Sequence, residues 1–267
     1  MGPAPPAAAL EAWRGFAEDL ADEARALFAP HLAALPGVEL KPDRSLVTAL
    51  DRAIEERLRE RIAADWPAHG VLGEEFGALR PDADAVWVLD PIDGTAPFIA
   101  GVPVFGTLVA LLWQGRPVLG VMDFPVTRER WVGVAGRATT HQGQPCRTRA
   151  CESLADAMLS TSNPDFFAVD ERPAFESLRA ATRWRIYGGC CLAYGLLARG
   201  RTDLAIDAGF KIWDWAPFVP VIEGAGGVIT DWQGQPLSLA NPSTRILAAG
   251  DARRHAEALA LIAKGQA

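Results

Sequence analysis

The sequence predicts a mixed α/β fold built in layers, and three observations carry that expectation. Long amphipathic patterns open the chain over 10–29 and from Thr48 to about Ala64, and apolar segments punctuated by turn residues follow as far as 140. From 157 onward, short apolar runs alternate with helical patterns, which points to strands covered by helices. The expected division is an N-terminal α+β half over 1–150 and a C-terminal α/β half over 151–267, tightly packed because no low-complexity linker separates them.

The first helix rests on Leu10, Trp13, Phe16, Ala17, Leu20, Ala24, Leu27 and Phe28, and Pro30 and Pro36-Gly37 close it. In the second, Asp51, Ile54, Leu58, Arg61 and Ile62 recur until Pro67, while Thr48 and Asp51 have the spacing of a capping box. Val71–Gly77 is too short and too glycine-bounded for a helix. A buried strand over 86–90 is expected to stop at Pro91, which has no N–H for the sheet ladder. A short helix opens at Gly94-Thr95 and runs through 96–100. Strands follow over 104–113, 117–124, 130–135 and 137–140, with Gly115-Arg116-Pro117 as a hairpin turn. The second half reads as strand 157–161, helix 171–181, strand 183–186, helix 190–199, strand 203–206, helix 215–224 and strand 226–231, then a tight turn at Trp232-Gln233-Gly234-Gln235. The Glu223-Gly224-Ala225-Gly226-Gly227 run follows a helix and precedes a strand, the reverse of a dinucleotide fingerprint, so it reads as glycine termination of the helix.

With 267 residues and 49% hydrophobic composition, the chain can bury a large core. A net charge of −7 without a basic stripe excludes a general nucleic-acid surface, so an anionic substrate needs local cations. The apolar segments, Val102 to Trp113 among them, are short and carry Pro or Gly, and no membrane span is expected. The first nine residues lack the basic start and apolar core of a signal peptide, so the expected compartment is the cytoplasm. Cys146, Cys151, Cys190 and Cys191 show no CxxC spacing and suggest neither zinc nor disulfides. His31, His69, His141 and His255 are scattered and read as surface or loop residues, with no triad pattern.

The run Val86-Trp87-Val88-Leu89-Asp90-Pro91-Ile92-Asp93-Gly94-Thr95 delivers two carboxylates into a turn closed by Gly-Thr, as a metal-assisted phosphate site would need. An Asp-Gly turn with an Asx cap is the alternative. Glu74 and Glu75 after Gly73, and Asp214 between Trp213 and Trp215, are acids set among apolar or glycine neighbours. Such charges usually need a metal or a partner. Glu74 also reads as a solvated loop acid, and Asp214 as a cap of the next helix. If Glu74, Asp90, Asp93 and Asp214 converge, their all-oxygen donor set selects Mg²⁺ over Zn²⁺.

Gly73-Glu74-Glu75, Asp90-Pro91-Ile92-Asp93-Gly94-Thr95 and Trp213-Asp214-Trp215-Ala216 together resemble the inositol monophosphatase superfamily of Mg²⁺-dependent, Li⁺-sensitive phosphatases, over roughly residues 10–260. The resemblance implies an α-β-α-β-α sandwich, usually a homodimer, that hydrolyses a small phosphorylated metabolite. It implies that Glu74, Asp90, the Ile92 carbonyl, Asp93 and Asp214 hold two or three Mg²⁺ ions. Thr95 and Asp51 would orient the attacking water, with Glu74 also serving the catalytic step, and the Gly94 and Thr95 amides would grip phosphate. Asp93, Gly188, Gly189, Cys190, Asp207 and Asp214 would face the substrate. Phe98 to Leu108, Asp207 to Lys211 and Glu223 to Trp232 look most like the histidinol-phosphate phosphatase branch. Two departures stand out: Gly188-Gly189-Cys190-Cys191-Leu192 replaces the branch's Gly-Gly-Asp-Cys-Tyr, and Asp207 replaces a substrate-facing Glu. Inositol phosphatase, sugar or nucleotide phosphatase, and a catalytically silent binding protein are the alternatives.

Overall fold

A computed structural model describes residues 5–32, 37–41 and 46–265. The expected break at Pro36 and the tip before Pro5 lie outside these residues. Helix α1 (Ala7–Phe28) buries Leu10, Trp13, Phe16, Leu20, Ala24 and Phe28 along one stripe. A short hairpin of β1 (Val38–Leu40) and β2 (Leu46–Thr48), absent from the sequence reading, leads into α2 (Ala49–Asp65). The capping box is present: the Thr48 hydroxyl accepts from the Leu50 and Asp51 amides, and the Asp51 carboxylate accepts from the Thr48 N–H at 2.8 Å.

The chain then lays down β3 (Gly70–Gly73), β4 (Gly77–Leu79), β5 (Ala85–Asp93), the short helix α3 (Thr95–Ala100), β6 (Gly106–Trp113), β7 (Arg116–Phe124), β8 (Glu129–Val134), β9 (Thr140–His141) and β10 (Gln144–Pro145). Among the described residues these strands form an eight-stranded sheet in the order β10-β9-β8-β7-β6-β5-β3-β4. It is an antiparallel meander from β5 outward, with β3 parallel to β5. Next come β11 (Met158–Thr161), α4 (Arg172–Ala181), β12 (Trp184–Tyr187), α5 (Cys190–Ala198), β13 (Leu204–Asp207), α6 (Ile212–Trp215), α7 (Phe218–Gly224), β14 (Val228–Asp231), β15 (Ile246–Ala249) and α8 (Ala252–Gly265). Their strands form a second sheet in the order β12-β11-β13-β15-β14.

Three apolar clusters fill the spaces between layers. Leu20, Ile54, Leu58, Trp87 and Leu111 join α1 and α2 to the outer face of the large sheet. Val88, Trp131, Tyr194, Phe218 and Ala248 join both sheets through α5, α6 and α7. Phe175, Leu178, Leu204 and Ile262 pack α4 and α8 on the far side of the small sheet. The order is therefore α-β-α-β-α, as the resemblance implies. Gly120 and Gly133 allow the central approach, because a Cβ at either would collide with the backbone at Pro217 or Pro220.

Several boundaries differ from expectation. Strand β5 does not stop at Pro91 but bulges there, its pairing with β6 slipping between Asp90 and Asp93. The helix expected over 215–224 is two helices broken near Ala216-Pro217, because a proline cannot supply the N–H that an uninterrupted helix needs. The strand expected over 137–140 is only Thr140–His141. His255 is not a surface residue: it is buried in α8 with its Nε2 3.0 Å from the Thr230 hydroxyl. All four cysteines are free.

Candidate active site

The bulge in β5 is where chemistry begins. The Thr107 hydroxyl donates to the Pro91 carbonyl at 2.9 Å, occupying a backbone acceptor that the broken ladder would leave open. The extra residue turns Asp93 towards Asp90, and α6 brings in Asp214. One carboxylate oxygen from each of the three lies within 4.8 Å of the others. Asp214 also accepts from the Lys211 N–H at 2.6 Å, so it closes the first turn of α6 from within the helix.

This convergence is electrostatically costly. Asp90 is buried and its Oδ1 has no partner. Burial, followed by the charges of Glu74, Asp93, Asp214 and Asp51, pushes its pKa well above the ordinary value of 3.8. Asp214 is raised well above the same value by burial and then by Asp93. Three converging carboxylates, one of them with an unpartnered oxygen, are an all-oxygen donor set short of positive charge, and the set fits a hard divalent cation.

Glu74 sits in the turn after β3. Its Oε1 accepts from Lys41 Nζ at 2.9 Å, and Glu75 Oε1 accepts from the same ammonium at 2.6 Å. Burial raises Glu74 to about 7 despite Lys41, and its charge is felt at Asp90 and Asp214. On another side, the Thr95 hydroxyl donates to the Ile92 carbonyl at 3.1 Å and lies 3.5 Å from Asp51 Oδ1. Asp51 is buried and anchored through its other oxygen to Thr48. Gly94 takes the left-handed conformation, φ 83°, that opens α3 directly after Asp93.

A cleft of about 360 Å³ opens beside these groups, lined by Asp93, Thr95, Ser162, Phe166, Cys190 and Phe210 among others, and reaching Asp214. Two hollows of about 490 and 440 Å³ elsewhere are not lined by the clustered aspartates. Cys191 donates its N–H to Asp93 Oδ2 at 2.8 Å, which ties the start of α5 to the acid cluster. Gly188 and Gly189 shape this turn without lining the cleft, and Cys190 lines it from a left-handed backbone, φ 44°.

Asp207 departs from the sequence expectation. It is fully buried and does not line the cleft; its Oδ1 accepts from the Thr161 hydroxyl at 2.9 Å and the Ser162 N–H at 2.7 Å, and its Oδ2 from the Tyr194 hydroxyl at 2.9 Å. Its short side chain leaves it behind the cleft wall as an anchor between β11, β13 and α5.

The sequence model of the inositol monophosphatase family matches residues 9–266. The chain belongs to the inositol monophosphatase family. Among its relatives, a chloroplastic bifunctional phosphatase of Arabidopsis thaliana is 45% identical over 82% of this chain and 66% of that protein, just under two thirds of its length. A histidinol-phosphatase of Mycobacterium tuberculosis is 35% identical over 80% of this chain and 85% of its own length. The structure of an inositol monophosphatase from Zymomonas mobilis superposes with a TM-score of 0.88 at 41% identity, covering 96% of this chain and 99% of that one. The family is one of phosphatases, so hydrolysis of a phosphate ester is the chemistry this site must explain.

Two residues of this phosphatase's site escaped the sequence reading. Lys41 is a lysine beside a proline with no pattern around it, and no signal could have placed it on Glu74. Glu55 had a signal, an acid inside the apolar stripe of α2. It is fully buried, accepts from the Glu75 and Phe76 amides at 2.7 and 3.2 Å, and so fixes the turn that carries Glu74.

Proposed function

We propose that the protein is a Mg²⁺-dependent phosphomonoesterase that converts L-histidinol phosphate to L-histidinol and phosphate. The observation that carries the chemistry is the meeting of Asp90, Asp93 and Asp214, with one Asp90 oxygen left unpartnered. Glu74, Asp90, the Ile92 carbonyl, Asp93 and Asp214 would hold two or three Mg²⁺ ions. When bound there, Mg²⁺ neutralises phosphate charge, acidifies water and stabilises the leaving oxygen.

The chain's own groups do the positioning. The Thr95 hydroxyl, held against the Ile92 carbonyl, orients the attacking water, and Asp51 Oδ1 beside it receives a proton. Burial raises the Asp51 pKa, which suits it to that task. The Gly94 and Thr95 amides receive phosphate oxygens at the turn into α3. Phosphoryl transfer depends mainly on such placement and on charge neutralisation.

The substrate reading rests on likeness to the Mycobacterium tuberculosis histidinol-phosphatase and on the apolar residues of the cleft. Likeness to the Zymomonas mobilis inositol monophosphatase favours a second reading, myo-inositol 1-phosphate. A homodimer in the cytoplasm completes the proposal. The exposed Trp184, Ile186 and Tyr187 of edge strand β12 support pairing of two copies. Phosphate release from both esters, each with Mg²⁺ and with EDTA, is the test. Mg²⁺-dependent release from L-histidinol phosphate alone supports the first reading, and release from inositol phosphate alone supports the second. Release from no phosphate ester would leave a silent binding protein.

A further inference from the structure

We propose that Arg59 is a positioning residue for the metal ligand Glu74, which it holds from behind through the buried carboxylate of Glu55. The proposal rests on the metal-dependent reading above and adds a residue that acts on that site through two others.

Glu74 sits in the turn between β3 and β4, and that turn is gripped from two sides. On one, Lys41 Nζ donates to the carboxylates of Glu74 and Glu75. On the other stands α2. Its fully buried Glu55 accepts from the Glu75 N–H at 2.7 Å with Oε2 and from the Phe76 N–H at 3.2 Å with Oε1. A Cβ at Gly73 would strike this carboxylate, so the glycine before Glu74 is what lets the helix side chain come so close. A buried carboxylate needs a countercharge. Arg59, one turn further along α2, supplies it: its Nε donates to Glu55 Oε1 at 2.7 Å.

The same guanidinium reaches the far end of the turn. Its Nη2 donates to the carbonyl of Gly77, where β4 begins, and its Cζ lies 6.0 Å from the centre of the Phe76 ring. One planar fork therefore ties Glu55 to the start of β4 across the segment that carries Glu74. A lysine could not do the same, because a single ammonium lacks the fork that serves both acceptors. The Glu74 N–H in turn donates to the Leu89 carbonyl at 3.3 Å, next to Asp90, so the held turn meets the strand that bears the aspartates. Groups that orient metal ligands in this way typically carry about 10–100-fold in metal affinity.

Isothermal titration of Mg²⁺ into wild type, Glu74→Gln, Arg59→Met, Arg59→Lys, Glu55→Gln and the Arg59→Met/Glu74→Gln double variant is the test. Arg57→Met, at a side chain 45% exposed that pairs with Glu23, is the control. Arg59→Met should weaken Mg²⁺ binding about tenfold, Arg59→Lys less, and Arg57→Met not at all. The double variant should bind no more weakly than Glu74→Gln alone, because Arg59 acts through Glu74. Raising Mg²⁺ should restore kcat in Arg59→Met with KM for the phosphate ester unchanged, which a general loss of structure would not allow. Glu55→Gln, whose amide nitrogen cannot accept from a backbone N–H, should show the same loss even if Arg59→Met folds poorly. Wild-type affinity in Arg59→Met and Glu55→Gln, or losses that add in the double variant, would overturn the proposal. Unchanged binding by Glu74→Gln would remove Glu74 from the metal site, and the proposal with it.

Discussion

Asp207→Asn isolates the energetic role of the acid behind the cleft. Asp207 is fully buried, with three donors on its two oxygens, and burial pushes its pKa from 3.8 to about 7. Because the folded-state value is raised, its contribution to stability is complete below the unfolded value and is lost as pH rises through about 7. Roughly two of the three units lie between pH 5 and 7, and at about 1.36 kcal/mol per unit they amount to about 2.7 kcal/mol. Asparagine keeps the shape: its oxygen can accept from Thr161 and Ser162, and its amide can donate to the Tyr194 hydroxyl. It does not titrate. Urea unfolding in EDTA at pH 5 and pH 8 should therefore show wild type losing about 2.7 kcal/mol more than Asp207→Asn across that interval, with similar m-values. The other clustered acids titrate in both proteins and cancel in the comparison. Parallel pH profiles for the two proteins would refute the assignment of this buried charge.

Asp90→Asn removes a charge from the crowded cluster, so it should raise the melting temperature in EDTA while abolishing turnover; a lower melting temperature would contradict the repulsion read from its surroundings. Thr95→Ala should lower kcat by about 10²–10⁴ with little change in KM, as loss of a water-orienting hydroxyl requires, and steady-state kinetics will show whether KM moves instead. Cys190→Asp returns an acid to the cleft wall and should raise kcat/KM for L-histidinol phosphate by one to two decades, the equivalent of a charge-assisted hydrogen bond. No gain would show that this position does not read the leaving group.

The motif on β5 was legible because an apolar run ending in Asp-Pro-Ile-Asp-Gly-Thr has few structural uses. Its geometry was not, because Pro91 only implies a lost ladder bond, and Thr107, a residue on the next strand, decides that the strand bulges instead of ending. Helix α2 and its capping box followed from local chemistry between neighbours. Strand β15 and helix α8 passed unread: Ile246–Ala249 is four residues long, and the buried side of α8 mixes Arg254 and His255 with Ala258 and Ile262. Asp207 shows the limit most clearly. The resemblance implied a substrate contact, but only the positions of Thr161, Ser162 and Tyr194 reveal a carboxylate held by the fold.

The central claim is that the Asp90, Asp93 and Asp214 oxygens form a divalent-cation site. Isothermal titration of Mg²⁺ into wild type and Asp214→Asn at the same pH tests it most directly. Saturable binding to wild type that falls at least tenfold in Asp214→Asn is the predicted result. Equal binding by the two proteins, or none by wild type, would contradict the account.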